Sequence, residues 1–539
     1  MKNAVSQSER ARLSSAICLS FVVALAACAK TSVVDPKKTA TAKENPITTA
    51  SPAPAPFAEI DLDLEPDVQP DLEIGANPQP EPIPAPITGV GEAPIAGEKS
   101  SAEQLASAIF ENEAQKSLFA RFTTGKEFCK KFNSVTDTEA GFRIEVPVDY
   151  ENPALGKTEI WGYFAKGLFD PKRPSMIYVD GGPGGNSHGA PAFTKSFNEI
   201  RFDQRGIGCS RPSSLELYRN PNYYGSLNTA RDMEEIRKHL GINQLSILGI
   251  SYGTVPATIY ANLFPERTTA VVLEGVMFDG KTIEESRAIP FGLRKMYKSL
   301  PEPTRLAMKS YFTKEKAYGL GLYQIARMLM YSNRGLDQMQ SALTMLFPSP
   351  EGILRQQADQ IFDVNLFNNA FFDNDRIDAV DMASNKLIQC QEFPSFVKTV
   401  PVFYTDETGK FHEFEEEEIS KVMGAIEDTC ALLKATANKY YSADRYPILA
   451  PVTYYQGNWD GATMAPGAVK HFKKTPKTKA QLFIAKKGGH TPNLALILKG
   501  SALQLQVFEK SLRGEQATQD EVKGLNEGQT EVQWTYTSK

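Results

Sequence analysis

The sequence predicts an α/β fold, a mostly parallel and doubly wound sheet with a helical cap domain inserted into it. Three observations lead to this prediction. Short apolar runs of strand length alternate with helical patterns near the middle of the chain, and the same alternation returns near its end. Between these two parts lies a helix-rich, aromatic stretch. Strands that alternate with helices form parallel sheets covered on both faces, so the inserted stretch is expected to form the cap.

Length and composition limit the class of protein. The chain has 539 residues, which predicts two or three structural units. Hydrophobic residues make up 41% and charged residues 23%, enough apolar material for a sizeable core. A formal net charge of −5 argues against a nucleic-acid partner, which usually requires a strongly basic face.

The first 27 residues are predicted to be a signal peptide. A basic start precedes an apolar run, Leu13–Ala27, that is too short for a comfortable membrane span. The run ends in Leu25-Ala26-Ala27-Cys28, which resembles a bacterial lipobox and implies lipidation of Cys28. The alternative is a plain cleaved signal in which Cys28 is incidental. We expect an exported protein anchored by lipid to the cell envelope, in the outer membrane because Ala29 rather than Asp follows the cysteine.

Domain boundaries follow from composition. Residues 28–100 hold 13 of the 35 prolines and few aromatics, which predicts a lipid anchor followed by a disordered, stalk-like linker. Residues 101–279 are predicted to form the first part of the core and residues 446–515 the second part. The helical cap is placed at 280–445 and a C-terminal tail at 516–539.

Each predicted element has its own pattern. The strands are short apolar runs that end in turns: Met176–Val179, Glu199–Phe202, Leu245–Ile250, Ala270–Leu273, Val452–Gln456 and Gln481–Ala485. The helices are Thr229–Leu240, Tyr252–Phe264 and Asn493–Leu512. Thr229 and Asp232 form a capping-box pair that predicts the start of the first helix, and Gly241 predicts its end.

Ser251 is the candidate nucleophile. It lies in Gly249-Ile250-Ser251-Tyr252-Gly253, a G-x-S-x-G motif between a buried strand and a helix. That setting is the one a strained strand-to-helix turn requires, and the turn exposes the serine hydroxyl. The small glycines are expected because a side chain in such a crowded turn would clash.

His490 and Asp460 are the candidate base and acid. A serine hydroxyl needs a base, and His490 follows a strand and a Gly-Gly pair, in a loop of the kind that presents catalytic groups. The base needs a carboxylate to fix its tautomer, and Asp460 also lies just past a strand. The order Ser, Asp, His along the chain is that of α/β-hydrolases. The long gap between Ser251 and Asp460 accommodates the cap.

An oxyanion hole needs two N–H donors, and the sequence offers Gly182 and Tyr252. Gly182 lies in a glycine-rich turn, residues 180–185, after the first predicted strand, and Tyr252 follows the nucleophile. The glycine-rich turn is not a phosphate loop, because neither the Gly-Lys-Ser/Thr nor the G-x-G-x-x-G pattern is present. No HExxH or CxxC pattern occurs, so the sequence predicts neither a metal nor a cofactor.

Several motifs together resemble one branch of the α/β-hydrolases. They are GGPGG at 181–185, DQRGIG at 203–208, GISYG at 249–253, GNWD at 457–460 and GGH at 488–490. In this order they resemble the proline iminopeptidases and tripeptidyl aminopeptidases over residues 125–512. Asp180 departs from the iminopeptidases, which have His there. The resemblance implies a serine aminopeptidase with the α/β-hydrolase fold that cleaves peptides with a free amino terminus through an acyl-enzyme.

The resemblance also implies roles for other residues. Cys390-Gln391-Glu392 resembles a Cys-x-acid segment of the family's cap, so Glu392 is expected to bind the substrate ammonium, and Glu274 is a second candidate. Four cysteines follow the lipobox, and an exported chain with an even number suggests disulfides, with three pairings open. The family pattern favours Cys390–Cys430, which leaves Cys129–Cys209.

Two other functions remain open on the sequence alone. The aromatic cap is also compatible with an ester or lipid substrate for the same triad. A binding protein on an inactive hydrolase scaffold is the third hypothesis, and the intact triad argues against it.

Overall fold

A nine-stranded sheet forms the centre of the part of the chain that the structure describes. The structure is a computed structural model and describes residues 141–165, 169–186, 192–211, 221–279, 292–294, 296–313, 316–362, 382–393, 399–405, 411–418, 441–476 and 479–539. The predicted signal peptide, lipid anchor and linker lie outside the described residues, as do Cys28, Cys129 and Cys430.

The strands of this sheet are β1 Gly141–Pro147, β2 Lys157–Phe164, β3 Ser175–Val179, β4 Asn198–Phe202, β5 Leu245–Ile250, β6 Thr268–Glu274, β9 Val452–Gly457, β10 Ala480–Lys486 and β11 Gln533–Ser538. Their order across the sheet is β1-β2-β4-β3-β5-β6-β9-β10-β11. All neighbours from β4 to β10 are parallel, whereas the β1–β2, β2–β4 and β10–β11 pairs are antiparallel. The predicted mostly parallel sheet is therefore confirmed, and antiparallel strands are added at both ends.

The arrangement of four neighbouring strands positions the candidate site. β5, β6, β9 and β10 lie side by side and run in the same direction, so their carboxyl ends meet at one edge of the sheet. Ser251 follows β5, Asp460 follows β9 and His490 follows β10. In open parallel sheets this edge is where binding sites form.

The helices are α1 Ser226–His239, α2 Thr254–Leu263, α3 Glu302–Phe312, α4 Lys316–Leu329, α5 Gly335–Leu346, α6 Arg355–Phe362, α7 Met382–Glu392, α8 Ala465–Lys474, α9 Pro492–Leu498, α10 Ala502–Leu512 and α11 Gln519–Asn526. The cap region includes α3 to α7. It also includes a two-stranded antiparallel sheet of β7 Thr399–Thr405 and β8 Phe411–Glu418, which the prediction of a purely helical cap missed.

The cap has an apolar core of its own. Buried aromatic side chains of α3, α6 and the segment after α5 pack together, with ring centroids about 5–6 Å apart: Tyr311, Phe312, Phe347 and Phe362. Aromatic pairs in this arrangement add favourable energy beyond the area they bury. These aromatic side chains therefore stabilise the cap itself.

Helix α1 begins three residues earlier than predicted. Its N-cap is Gly225, and Thr229 and Asp232 lie within the helix. Asp232 is not a capping residue, because its carboxylate binds the fully buried Arg205 of the DQRG motif at 2.7 Å and 2.5 Å. Removing one partner of such a buried pair usually destabilises a protein by about 3–5 kcal/mol. The Arg205–Asp232 pair fixes α1 against the loop after β4.

Two further boundaries differ from the prediction. The predicted helix Asn493–Leu512 is two helices, α9 and α10, because Gly500 adopts a left-handed φ of 91° and Ser501 caps a new helix at Gln504 N. The predicted tail at 516–539 is wrong as well. It forms α11 and β11, and Trp534 of β11 packs its ring 5.9 Å from that of Phe483.

His471 of α8 is a buried histidine with an apolar environment. Its ring lies edge-on against Phe278 at 6.1 Å and Tyr454 at 5.2 Å. Among the described residues its Nδ1 has no hydrogen-bond partner. Burial lowers the pKa of His471 from 6.5 to about 4, although the charge of Asp444 acts in the opposite direction. The imidazole is therefore neutral in the folded protein at neutral pH.

This burial predicts a loss of stability in mild acid. Between pH 6.5 and 4 the unfolded chain binds a proton at His471 that the folded chain does not bind. The free energy of unfolding should therefore fall as pH is lowered through that interval, by about 3 kcal/mol at its lower end. Urea titrations of the wild type and His471→Leu at several pH values measure the effect. Parallel pH dependence in the two proteins would contradict it.

Within the described residues, none of the helices has the length and apolar character that a membrane span requires.

Candidate active site

Ser251 lies at the turn between β5 and α2. Its backbone is left-handed, with a φ of 55°, a conformation that is costly for a residue other than glycine and is often found at functional sites. A Cβ at Gly253 would lie 2.1 Å from the Val179 carbonyl oxygen, and one at Gly249 would lie 2.6 Å from the Gly253 carbonyl oxygen. The predicted crowding is confirmed, and it explains why the motif needs both glycines.

The glycine-rich turn after β3 lies against the nucleophile. A Cβ at Gly181 would lie 2.8 Å from the Ser251 Cβ, so only a bare backbone fits there. Gly182 has a left-handed φ of 112°. Among the described residues its N–H makes no hydrogen bond, while the Gly185 N–H donates to the Gly181 carbonyl oxygen at 3.0 Å and closes the turn. The glycine-rich turn and the Ser251–Tyr252 turn therefore lie against each other, and the oxyanion roles of Gly182 and Tyr252 stay a prediction.

Asp180, which departs from the family pattern, supports this turn. Its Oδ1 accepts hydrogen bonds from the Tyr178 hydroxyl at 3.0 Å and from the Gly181 N–H at 2.7 Å. Burial raises the pKa of the Asp180 carboxyl group. The side chain therefore holds the start of the glycine-rich turn.

Asp460 and His490 meet as predicted. His490 Nδ1 lies 2.9 Å from both carboxylate oxygens of Asp460. The carboxylate also accepts from the N–H groups of Ala462 and Thr463, from Thr463 Oγ1 and from Gln456 Nε2, at 2.7–2.9 Å. These donors fix its orientation. With Asp460 accepting, Nδ1 of His490 carries the proton and Nε2 is left as the acceptor.

The register of the sheet brings His490 close to the nucleophile. Ile250, just before Ser251, pairs with Glu274 on β6. A Cβ at Gly275, the next residue, would lie 2.7 Å from His490 Cε1. Because neighbouring strands are about 4.8 Å apart, Gly275, which the imidazole adjoins, lies about one strand spacing from the turn that carries Ser251. The three predicted triad residues therefore gather at one edge of the sheet.

The cap covers the imidazole. The ring of Tyr331 packs edge-on against that of His490, with the ring centroids 5.0 Å apart. The backbone N–H of His490 donates to the Tyr331 carbonyl oxygen at 3.2 Å. Sequence reasoning missed Tyr331, since nothing in its local pattern indicates contact with a residue far along the chain. Gln456 and Thr463 were missed too. An Asp side chain often accepts hydrogen bonds from backbone N–H groups two or three residues further on, and Thr463 is three residues after Asp460.

Glu274 occupies an enclosed position. Its Oε1 accepts from the N–H groups of Asn493 and Leu494 at 2.8 Å and 3.2 Å, and Oε2 accepts from the Asn493 side-chain amide at 3.2 Å. The residue has no exposed surface, and burial raises the pKa of its carboxyl group to about 7. The prediction that Glu274 binds the substrate amine does not fit this position. The carboxylate instead holds the start of α9, just after His490.

Glu392 lies where the cap meets the core. Its Oε1 accepts from the Ser226 N–H at 2.6 Å, and Oε2 accepts from the Ser226 hydroxyl at 2.5 Å. The Ser226 and Tyr252 hydroxyl groups are 2.7 Å apart. Glu392 is thus joined through Ser226 to the side chain of a candidate oxyanion residue. It also lines a cavity of about 210 Å³ that is bordered by Asn228 and Tyr446.

Two of the four predicted disulfide cysteines are described. Cys209 and Cys390 are each disulfide-bonded. Because Cys129 and Cys430 lie outside the described residues, the pairing of Cys390 with Cys430 and of Cys129 with Cys209 stays a prediction. The described residues contain no group of three or more His, Cys, Asp or Glu side chains arranged to hold a metal ion.

Comparison with known proteins adds a family and several relatives. Residues 174–332 match the family described as alpha/beta hydrolase fold. A tripeptidyl aminopeptidase of Streptomyces lividans is 26% identical over 193 residues, 25% of this chain and 34% of the relative. A proline iminopeptidase of Xylella fastidiosa is 33% identical over 113 residues, 20% and 34% of the two chains. The matches therefore span about a third of the length of these curated relatives.

Solved structures are similar at lower identity. A proline iminopeptidase of Mycobacterium smegmatis is 16% identical, with a TM-score of 0.33, over 69% of this chain and 99% of that one. A proline iminopeptidase-related protein of Thermus thermophilus is 15% identical, with a TM-score of 0.35, over 69% and 98%. The sheet and the family match agree, and the chain has the α/β hydrolase fold, with a sequence similar to those of the tripeptidyl aminopeptidases and proline iminopeptidases.

Proposed function

We propose that the protein is a serine hydrolase that releases N-terminal residues or short peptides from peptides with a free amino terminus. The observation that carries this proposal is the geometry at the carboxyl edge of the sheet. Asp460 holds His490 in the tautomer whose Nε2 is the proton acceptor, and the imidazole adjoins Gly275, which follows the residue paired with Ile250 just before the left-handed Ser251. A serine, a histidine base and a carboxylate in this arrangement are the groups that catalyse acyl transfer through an activated serine.

The reaction proceeds in two halves. His490 Nε2 takes the Ser251 hydroxyl proton while Oγ attacks the peptide carbonyl carbon, and the Gly182 and Tyr252 N–H groups stabilise the oxyanion. The tetrahedral intermediate collapses, the C–N bond breaks, and the leaving amine receives the proton from His490. Water then gives a proton to His490 and attacks the acyl-serine ester. A second collapse frees the N-terminal fragment as an acid and returns the proton to Ser251.

Selection of a free amine is proposed for Glu392. A buried carboxylate beside a cavity of about 210 Å³ can pair with an ammonium group, and a blocked peptide has no positive charge to offer that carboxylate. The similarity to proteins named tripeptidyl aminopeptidase and proline iminopeptidase supports the same substrate class. The predicted lipid anchor at Cys28 would hold such an enzyme at the cell envelope, where it meets peptides from outside.

The substrate class can be tested by replacing Glu392 with glutamine. Gln can still accept from the Ser226 N–H and donate to the Ser226 hydroxyl, so the change removes the charge and keeps the local hydrogen bonds. We expect kcat/KM for tripeptide p-nitroanilides with a free amine to fall about 10- to 100-fold, because hydrogen bonds to charged groups are worth about 1.5–3 kcal/mol. Hydrolysis of p-nitrophenyl acetate should be unchanged.

The matched substrate control is the N-acetylated form of the same peptide. The wild type should cleave it much more slowly than the free-amine form. In Glu392→Gln the difference in kcat/KM between the two forms should be smaller. Equal losses on peptide and ester would instead favour an ester or lipid substrate for this triad. Wild-type cleavage of free and acetylated peptides at equal rates would contradict the aminopeptidase assignment.

A further inference from the structure

Helix α7 of the cap contacts the loops around Ser251 at three points. The Asn385 side-chain amide donates to the Pro183 carbonyl oxygen at 2.7 Å. The Ser384 hydroxyl donates to the Gly206 carbonyl oxygen at 2.5 Å. At the end of the same helix, Glu392 accepts from Ser226. These contacts join residues about 170 to 200 positions apart in the chain, so the helix is docked on the core by specific polar groups.

The Asn385 contact falls on the candidate oxyanion loop. Pro183 follows Gly182, whose N–H is the first proposed donor. Gly182 and Gly184 both have left-handed φ angles, 112° and 95°. Because glycine adopts many backbone conformations at little cost, the turn could take up other conformations as well. A hydrogen bond from a buried amide to the Pro183 carbonyl oxygen selects one of them. Asn385 is itself 8% exposed, so water does not easily replace it as the donor.

The Glu392 contact connects α7 to Tyr252, whose N–H is the second proposed donor. Ser226, held by Glu392, lies 2.7 Å from the Tyr252 hydroxyl, and the Tyr252 ring packs edge-on against Phe393 at 6.2 Å. The Tyr252 side chain is therefore enclosed by the end of α7 and the start of α1. Helix α7 therefore contacts both proposed donor residues: the loop of Gly182 through Asn385, and the side chain of Tyr252 through Glu392 and Ser226.

We propose that Asn385 is a positioning residue for the oxyanion hole, through which docking of cap helix α7 sets the place of the Gly182 N–H. This inference rests on the proposed acyl-transfer function and adds to it. The cap does more than cover the site, because the donor geometry depends on a hydrogen bond that only the docked cap supplies. Displacement of a catalytic group by about 1 Å can cost about 100-fold in rate.

The test compares three variants on p-nitrophenyl acetate, a substrate without an ammonium group. Asn385→Asp keeps the size of the side chain but replaces the donor amide with a carboxylate that cannot donate to Pro183. Asn385→Ala removes the donor without adding charge. Ser384→Ala is the matched control, because it removes a neighbouring cap–core hydrogen bond that does not reach the oxyanion loop. A fluorophosphonate probe titrates reactive sites, so that kcat is expressed per active site.

We expect kcat per titrated site to fall about 10- to 100-fold in both Asn385 variants, with KM close to that of the wild type. Tm should fall as well, because the buried Pro183 carbonyl oxygen loses its donor. Ser384→Ala should keep the wild-type kcat. A purely structural role would lower Tm or the titrated fraction and leave kcat per site intact, and that result would overturn the proposal. Equal losses in Ser384→Ala and Asn385→Ala would overturn it as well, since cap docking in general would then be responsible.

Failure of the proposed function can be recognised separately. A wild type that reacts with the ester and the probe but not with free-amine peptides would remove the aminopeptidase assignment and leave the role of Asn385 to be decided by the variants. A wild type that reacts with neither would overturn both proposals, because there would be no oxyanion to stabilise.

Discussion

Replacing Ser251 with alanine should lower kcat by at least about 10⁴-fold on every substrate, because the change removes the proposed nucleophile of the acyl-enzyme mechanism. The change removes one oxygen atom from a half-buried side chain, so Tm should move little. Turnover of free-amine tripeptide p-nitroanilides and of p-nitrophenyl acetate measures the effect. Labelling by a fluorophosphonate should disappear in parallel, whereas Ser384→Ala, another serine near the site, should still be labelled.

The same measurement separates the enzyme from an inactive binding protein. A wild type that fails to react with the probe would favour a scaffold that has lost its chemistry. A Ser251→Ala protein that keeps full peptidase activity would contradict the proposed nucleophile. In that case the acyl-enzyme mechanism would have to be abandoned for this site.

Replacing Asp460 with asparagine should lower kcat about 10⁴-fold. Oδ1 of Asp460 accepts from the Ala462 and Thr463 N–H groups, so the Asn oxygen is expected to keep that position. The new NH₂ group then points at His490 Nδ1 and can only donate to it. His490 would carry its proton on Nε2, the nitrogen that must receive the Ser251 proton. The loss therefore comes from a reversed tautomer and should leave KM nearly unchanged.

The control for Asp460 removes one of its supporting donors. Thr463→Val takes away the Oγ1 contact to Oδ2 at 2.7 Å and keeps the carboxylate, so a much smaller loss of kcat is expected. Glu274→Gln tests the other buried acid near His490. If Asp460→Asn stayed within about tenfold of the wild type while Glu274→Gln lost activity, the acid of the triad would be Glu274.

The central part of the fold could be predicted because its signals are local. The apolar runs that became β3, β5 and β10 are buried along almost their whole length, as central parallel strands are. Ser251, Asp460 and His490 each follow such a strand, so the sheet itself brings them to one edge. The alternation of strand and helix, together with the G-x-S-x-G motif and the order Ser, Asp, His, was sufficient to predict all three.

The remaining features depend on contacts between distant residues. The start of α1 was misplaced because Asp232 binds Arg205 instead of capping the helix, and no local pattern distinguishes these two uses of a carboxylate. Strand β11 is not predicted, because it is only partly buried and its partner, β10, is separated from it in sequence. The prediction that Glu274 binds the substrate ammonium fails for the same reason, since the partners of its carboxylate belong to α9, far along the chain.

The left-handed backbone at Ser251 has a consequence for how this turn could evolve. A residue with a Cβ in that conformation costs roughly 1–2 kcal/mol more than glycine would, so the wild type gives up some thermal robustness for its hydroxyl. A descendant released from chemistry would gain stability by mutating this position to glycine, and selection for activity would no longer oppose that exchange. A serine that persists in such a turn is therefore a marker of selection for turnover.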